Sequence, residues 1–273
     1  MQIFFIDDAG QKNCRRGIND LLTAGGLMIS ADVCRELDRS ISALCVEQYG
    51  FPPGEPFKWS PSKSHWMREG LVDARRSSFF RDVLKLAKDA GAKGIAAISE
   101  RTAKPATGVD EIELDVLQLA LERFNTALKV DETGLVIVAR PSGGRTDEDK
   151  FLGRCSEIVE TGTFFAKFDR LATTILTLPF ERSRLLQVAD LVASILTAYV
   201  AGSGFADAVA PDVISLLRHD GKRLGGVGVK LHPDYRLQNL YHWLFDDQHF
   251  VKGNTGFPLP RPDRPFFESA DVF

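Results

Sequence analysis

The chain has few of the residues from which small metal and redox centres are built. Its four cysteines, Cys14, Cys34, Cys45 and Cys155, include no C-x-x-C pair. That excludes zinc ribbons, redox dithiols and a disulfide framework, and makes a reducing cytoplasm the expected setting. The five histidines, His65, His219, His232, His242 and His249, never fall at the i, i+4 spacing of a helical zinc pair. An excess of one charge is missing too: 34 basic against 37 acidic residues leave a net charge of −3, which advertises no polyanionic partner. It is still compatible with an enzyme that gathers its basic residues in one cleft. No internal repeat or long low-complexity tract breaks the chain. The first residues lack the basic stretch and cleavage site of a secretion signal, so none is expected.

What is present is ordinary material for a globular core, 44% hydrophobic and 26% charged over 273 residues. That length suits one large domain, or one domain with appended pieces. The most unusual stretch lies late. From Leu185 to Ala206 the single formal charge is Asp190. Ser183 is a candidate N-cap, and Leu185, Val188, Val192, Ile195 and Tyr199 recur at helical spacing. Gln187, Asp190, Ser194 and Thr197 then form the polar stripe of that helix. A membrane span is disfavoured, since a mid-span Asp costs roughly 3 kcal/mol and Gly202-Ser203-Gly204 interrupts the run. A lone carboxylate on a mostly buried helix is costly unless it is paired, neutralised or bound to a cation. The plain alternative is a solvated edge on a core helix.

A partner exists at the other end of the chain. Gln2 to Ile6 reads as a buried strand that runs into Asp7-Asp8-Ala9-Gly10, where two acids meet a turn glycine. Leu21 to Ile29 reads as the second strand of a hairpin. Helices are expected over 33–49, 79–90, 112–130 and 151–159, and strands over 94–99, 135–139 and 171–178. Residues 50–64 form a Pro/Gly-rich loop, and glycine-rich 219–233 and proline-rich 258–265 read as parts of an extension. Strands alternating with helices give an α/β protein, a mixed sheet with helices on its faces. The core is placed at residues 1–204, with residues 205–273 packed on it as a C-terminal extension.

Acids beyond the carboxyl ends of strands sit where open α/β sheets do their chemistry. Two or three carboxylates from separate elements form an oxygen cage for Mg²⁺ or Mn²⁺, and two such metals can drive phosphodiester cleavage. Asp7 and Asp190 are the candidate pair, Asp8 and Glu55 secondary acids, and Lys58 a cation for a phosphate oxygen. A polar turn for Asp7-Asp8 and a solvated loop for Glu55 and Lys58 are the plain alternatives. Arg15, Arg16, Lys58, Lys63, Arg140 and Arg145 fall in loops near the strand ends and could track a phosphate backbone. Trp59 and Trp66 could stack on bases or pack in the core.

These motifs resemble a family. Ile6-Asp7-Asp8-Ala9-Gly10 is similar to the "I-D-E-S-G" opening of the bacterial and phage proteins grouped as the domain of unknown function number 3800. Glu55-x-x-Lys58-Trp59-Ser60 resembles that family's "E-x-K-W-S" element, and Leu186 to Ala193 its "L-Q-x-A-D-L-x-A" signature. The resemblance implies a ribonuclease-H-like fold and a metal-dependent nuclease, with Asp7 and Asp190 as acidic ligands, Mg²⁺ or Mn²⁺ as cofactor and nucleic acid as partner. Asp8 stands where the family usually has Glu, Ala9 where it has Ser, and Pro56 in the slot that matches the family's Glu. Ala139 ends a strand that in the family often ends in Asp; Asp147 or Asp149 from the next loop are possible substitutes. A catalytically degenerate scaffold that binds nucleic acid or a protein is therefore the second reading, and a small-phosphoester hydrolase the third. A homo-oligomer is compatible with all three.

Overall fold

The computed structural model describes residues 1–103, 109–221 and 223–273. In chain order it contains β1 (Gln2–Gln11), β2 (Leu21–Ser30), α1 (Ala31–Ala43) with a π-helical turn at Leu44–Gln48, α2 (Met67–Gly70) and α3 (Asp73–Asp89). Next come β3 (Lys93–Glu100), α4 (Val109–Ala127), β4 (Gly134–Ala139), α5 (Arg145–Thr161), β5 (Leu176–Leu178) and α6 (Arg184–Ala201). The chain ends with α7 (Gly204–Asp207), α8 (Ala210–Leu216), β6 (Val229–His232), α9 (Asp234–Phe245) and a hairpin of β7 (His249–Lys252) and β8 (Thr255–Pro258).

Six strands form one mixed sheet in the order β5-β4-β1-β2-β3-β6. β1, β2 and β3 are antiparallel neighbours, β4 runs parallel to β1, β5 parallel to β4, and β6 parallel to β3. The apolar β1 run buries residues on both faces, as a central strand between two neighbours must. Phe5 joins a core with α1, α3, α6, α8 and α9 on one side, while Phe4 and Ile6 join a second core under α4 and α5 on the other. The protein is thus α/β, a mixed sheet between two helical layers.

Several elements differ from the sequence expectation. β1 does not give way to a turn at Asp7. It continues to Gln11 because β2 goes on pairing with it as far as Gln11–Leu21, so hydrogen bonding outlasts the apolar run. The expected strand over 171–178 touches β4 at Leu171, bends, and becomes a strand only from Leu176. Inside the glycine-rich stretch 219–233, read as part of the extension, Val229 and Leu231 alternate inward, and that alternation makes β6 an edge of the main sheet.

α6 lies across β1 and β2. Ser183 caps it by accepting the Leu186 N–H at 3.3 Å, and Gly202 ends it in the left-handed region at φ 88°. By length and composition α6 could cross a membrane, yet in this structure nearly all its side chains are buried in the protein. Close approach is possible because Gly26 of β2 has no side chain. A Cβ there would stand 1.9 Å from the Phe5 carbonyl oxygen and 2.8 Å from the Ala189 Cβ. Gly26→Ala should therefore destabilise the protein by at least about 1–3 kcal/mol, the usual range for overpacking, as measured by urea unfolding.

Candidate active site

The polar stripe of α6 holds the Glu55–Trp59 segment by its backbone. Gln187 Oε1 accepts the Phe57 N–H at 3.2 Å and an Arg184 Nη1 hydrogen at 2.8 Å. Asp190 Oδ2 accepts the Trp59 N–H at 2.8 Å, while its Oδ1 accepts from Ser194 Oγ at 2.9 Å. Arg184 also donates to the Glu55 carbonyl at 2.8 Å. Pro56 has no N–H to offer, so the segment is held through alternate residues, 57 and 59. Lys58 N–H instead points to Met67 Sδ at 3.3 Å. The same alternation buries Phe57 against Phe79 and packs Trp59 against Phe80 and Phe205. Lys58 Nζ rests 4.3 Å above the Phe180 ring.

Asp7 comes to this stripe from β1. Strand alternation puts it with Phe5 on the α6 side of the sheet and Asp8 with Ile6 on the α4 and α5 side. Asp7 Oδ1 accepts the Asp8 N–H at 2.9 Å. Burial first, then the charges of Asp190 and Asp8, push the Asp7 carboxyl from its ordinary 3.8 up to about 8, against the pull of Lys58. Burial likewise raises Asp190 and Asp8, and Lys58 lowers both. Asp7, Asp190, Asp8 and Lys58 thus share one electrostatic neighbourhood. The last β1–β4 pair is Ile6–Val138, so from Asp7 onward β1 has no β4 partner and this side of the strand lies open. Ala139, the next residue of β4, packs on the α6 side, beside Asp7. An acid there would stand next to Asp7.

As a cation site the group is sparse. Among the described residues no set of three His, Cys, Asp or Glu side chains is placed to hold a metal ion. Asp7 and Asp190 remain a chemically suitable pair. Each Asp190 oxygen accepts one hydrogen bond and keeps a second lone pair, and a bound cation would relieve both the burial of the Asp7 charge and its repulsion by Asp190. Mg²⁺ uses one or two carboxylates and keeps several waters, so two acids suit one hydrated ion.

The other candidates go elsewhere. Glu55 turns its carboxylate to His65 Nε2 at 3.6 Å, and His65 Nδ1 accepts the Met67 N–H. Asp149 pairs with Arg145 on the exposed first turn of α5, and Arg140 with Glu148 at 2.9 Å. Asp147 lines a cavity that Asp7 and Asp8 also line. Arg15 donates to the Tyr199 and Val272 carbonyls, tying α6 to the chain's end. Trp66 packs on Phe51, as Trp59 packs on its neighbours. Sequence reasoning missed Arg184, the residue that ends the charge-free run and that closes the network around Gln187. No family model and no curated protein sequence matches the chain.

Asp7 sets a pH dependence. Its folded pKa is above its unfolded one, so the folded protein holds a proton that the unfolded chain has released. That contribution is complete below about pH 4 and is lost by the time the pH has risen through about 8. In metal-free buffer the urea midpoint should fall from pH 5 to pH 8. Asp7→Asn should flatten the slope by up to one proton, about 1.4 kcal/mol per pH unit. Gln187→Ala, by contrast, should leave the pH profile alone and speed hydrogen exchange at the Phe57 amide, whose acceptor it removes.

Proposed function

We propose that the protein is a Mg²⁺- or Mn²⁺-dependent nuclease of ribonuclease-H-like fold. The observation that carries the reading is that Asp7 and Asp190, far apart in the chain, lie in each other's field with Lys58 beside both. Strand order supports it as well. The antiparallel β1–β2–β3 meander, with β4 and then β5 added in parallel on the β1 side and β6 in parallel on β3, is compatible with a ribonuclease-H-like sheet. The three motifs resembling the domain of unknown function number 3800 agree with this, and two of them, Glu55–Ser60 and Leu186–Ala193, dock on one another.

Asp7 and Asp190 would hold the cation. When bound, it supplies an activated water and a counter-charge for the phosphate. Trp59 N–H and Ser194 fix the Asp190 carboxylate, so its orientation is set before any ligand arrives. Asp8 N–H does the same for Asp7. Lys58, held over Phe180, offsets charge that develops on the phosphate oxygens.

Asp190→Asn tests the reading cleanly. An Asn oxygen can still accept from Trp59 while its amide donates to Ser194 Oγ, so the fold should persist by circular dichroism. Mn²⁺-dependent cleavage of single-stranded and duplex nucleic acid should drop by at least about 100-fold. Wild-type activity in the variant would remove the proposal. Ala139 beside Asp7 favours a second reading, a scaffold that binds without cutting. Calorimetry separates the two: millimolar or tighter Mn²⁺ binding belongs to the enzyme, and its absence to the scaffold.

A further inference from the structure

A cavity of about 440 Å³ opens on the far side of β1 from α6, between α4 and α5. Its floor is the sheet, with Ile6, Ala24 and Val138, and its walls carry Leu114 and Leu117 from α4 and Phe151 from α5. Asp7 and Asp8 line it too, so a molecule inside touches the acidic group from behind. On α5, Lys150 and Arg154 stand one helical turn apart on the face that carries Phe151. Neither forms an ion pair or hydrogen bond with a described residue. The cavity thus combines an apolar floor with an aromatic wall, the two cations Lys150 and Arg154 at its α5 side, and the acids Asp7, Asp8, Glu113 and Asp147, of which Asp8 and Asp147 face it as hydrogen-bond acceptors.

We propose that this cavity takes one unpaired nucleotide of the substrate, so that the enzyme acts on single-stranded or frayed nucleic acid. The inference rests on the nuclease reading and names its substrate class. A base fits a cavity of about 440 Å³, which lies within the roughly 300 to 1,000 Å³ of ligand cavities, whereas an intact base pair with its two backbones is too large for it. Phe151 offers the ring for stacking, a contact every base can make. Asp8 and Asp147 accept from amino groups on the base edge, as carboxylates do from cytosine N4. Lys150 and Arg154 hold the adjoining phosphates, and the strand leaves the cavity past Asp7, where the bond is cut. Holding a base here requires that it leave its stack, which costs a few kcal/mol in a duplex and little in a single strand.

The test is fluorescence anisotropy of the full chain with a labelled oligocytidylate, a blunt duplex of equal length, and cytidine monophosphate as competitor. Readings are taken in EDTA and again in Ca²⁺, apart from any cleavage. The single strand should bind at least about tenfold more tightly than the duplex. The Lys150→Glu, Arg154→Glu double variant should lose about tenfold or more, with the salt slope reduced by about two. Lys150→Gln with Arg154→Gln, a milder pair that keeps the side-chain stems and breaks no ion pair or hydrogen bond with a described residue, should show the same direction at an unchanged unfolding temperature. Equal binding of duplex and single strand, or variants that bind like the wild type, would overturn the proposal. So would cytidine monophosphate binding as tightly as the oligonucleotide, since the occupant would then be a free nucleotide. A protein that binds single strands in this pattern and cuts nothing would refute the nuclease and leave the cavity assignment standing.

Discussion

The contact on which the site depends is between Asp190 and the Trp59 backbone N–H. A carboxylate on a helix as apolar as α6 needs hydrogen bonds to remain charged at all, and charge-assisted bonds are about twice as strong as neutral ones. Asp190 has two, one from the strapped segment and one from its own helix. The same bonds that make its burial tolerable also aim it. Gln187, one turn earlier, repeats the arrangement with Phe57, so Glu55–Trp59 is laid along α6 as though along a neighbouring strand. On the proposed function, structural and chemical duties would fall on the same oxygens, and the segment that brings Lys58 is fixed by the acid whose charge Lys58 offsets.

Why Asp190 meets Asp7 and not some other residue of β1 follows from a contact between residues with little or no side chain. Gly26 lies against Ala189, and in the hairpin register Gly26 pairs with Ile6 while Gly25 pairs with Asp7. Ala189 and Asp190 are consecutive on the helix, as Ile6 and Asp7 are on the strand. The steric fit that sets the height of α6 over the hairpin thus sets the approach of the two carboxylates one residue further on. A bulkier side chain at Gly26 would lift the helix and separate the acids, even though neither acid had changed.

Much of this was legible in the sequence where the physics is local. The apolar run of β1, the helical period of α6, its Ser183 cap and its Gly202 stop all depend on neighbours in the chain, and all were read correctly. The continuation of β1 through Asp7 and Asp8 was not, because two acids and a glycine look like a turn unless the pairing partner is known; β2 supplies it from ten residues on the other limb of the hairpin. β6 escaped for the same reason, since four residues among glycines become a strand only when β3 is there to bond them. Side chains with several possible partners were the least legible. Glu55 goes to His65, and Arg15 to the carbonyls of Tyr199 and Val272, choices made by tertiary distance that no spacing encodes.

Ala139 shows how the two sides of the sheet are connected. It packs toward α6 beside Asp7, yet it also lines the cavity under α4 and α5, at the point where the pairing of β1 with β4 has ended at Ile6–Val138. A carboxylate at this position would add a third acid to Asp7 and Asp190, and would at the same time narrow the cavity that Ala139 lines and add another negative charge to it. With alanine, the proposed cage would have one acid fewer, and the lining that Ala139 shares with Asp7 carries one negative charge fewer toward a phosphate. A site short of one acid must draw more of its cation ligands from water and substrate, which is the way Mg²⁺ is commonly held. On the proposed function, Ala139 and the cavity behind it would then be one feature: what the cage lacks, the oxygens of a ligand in the cavity would supply.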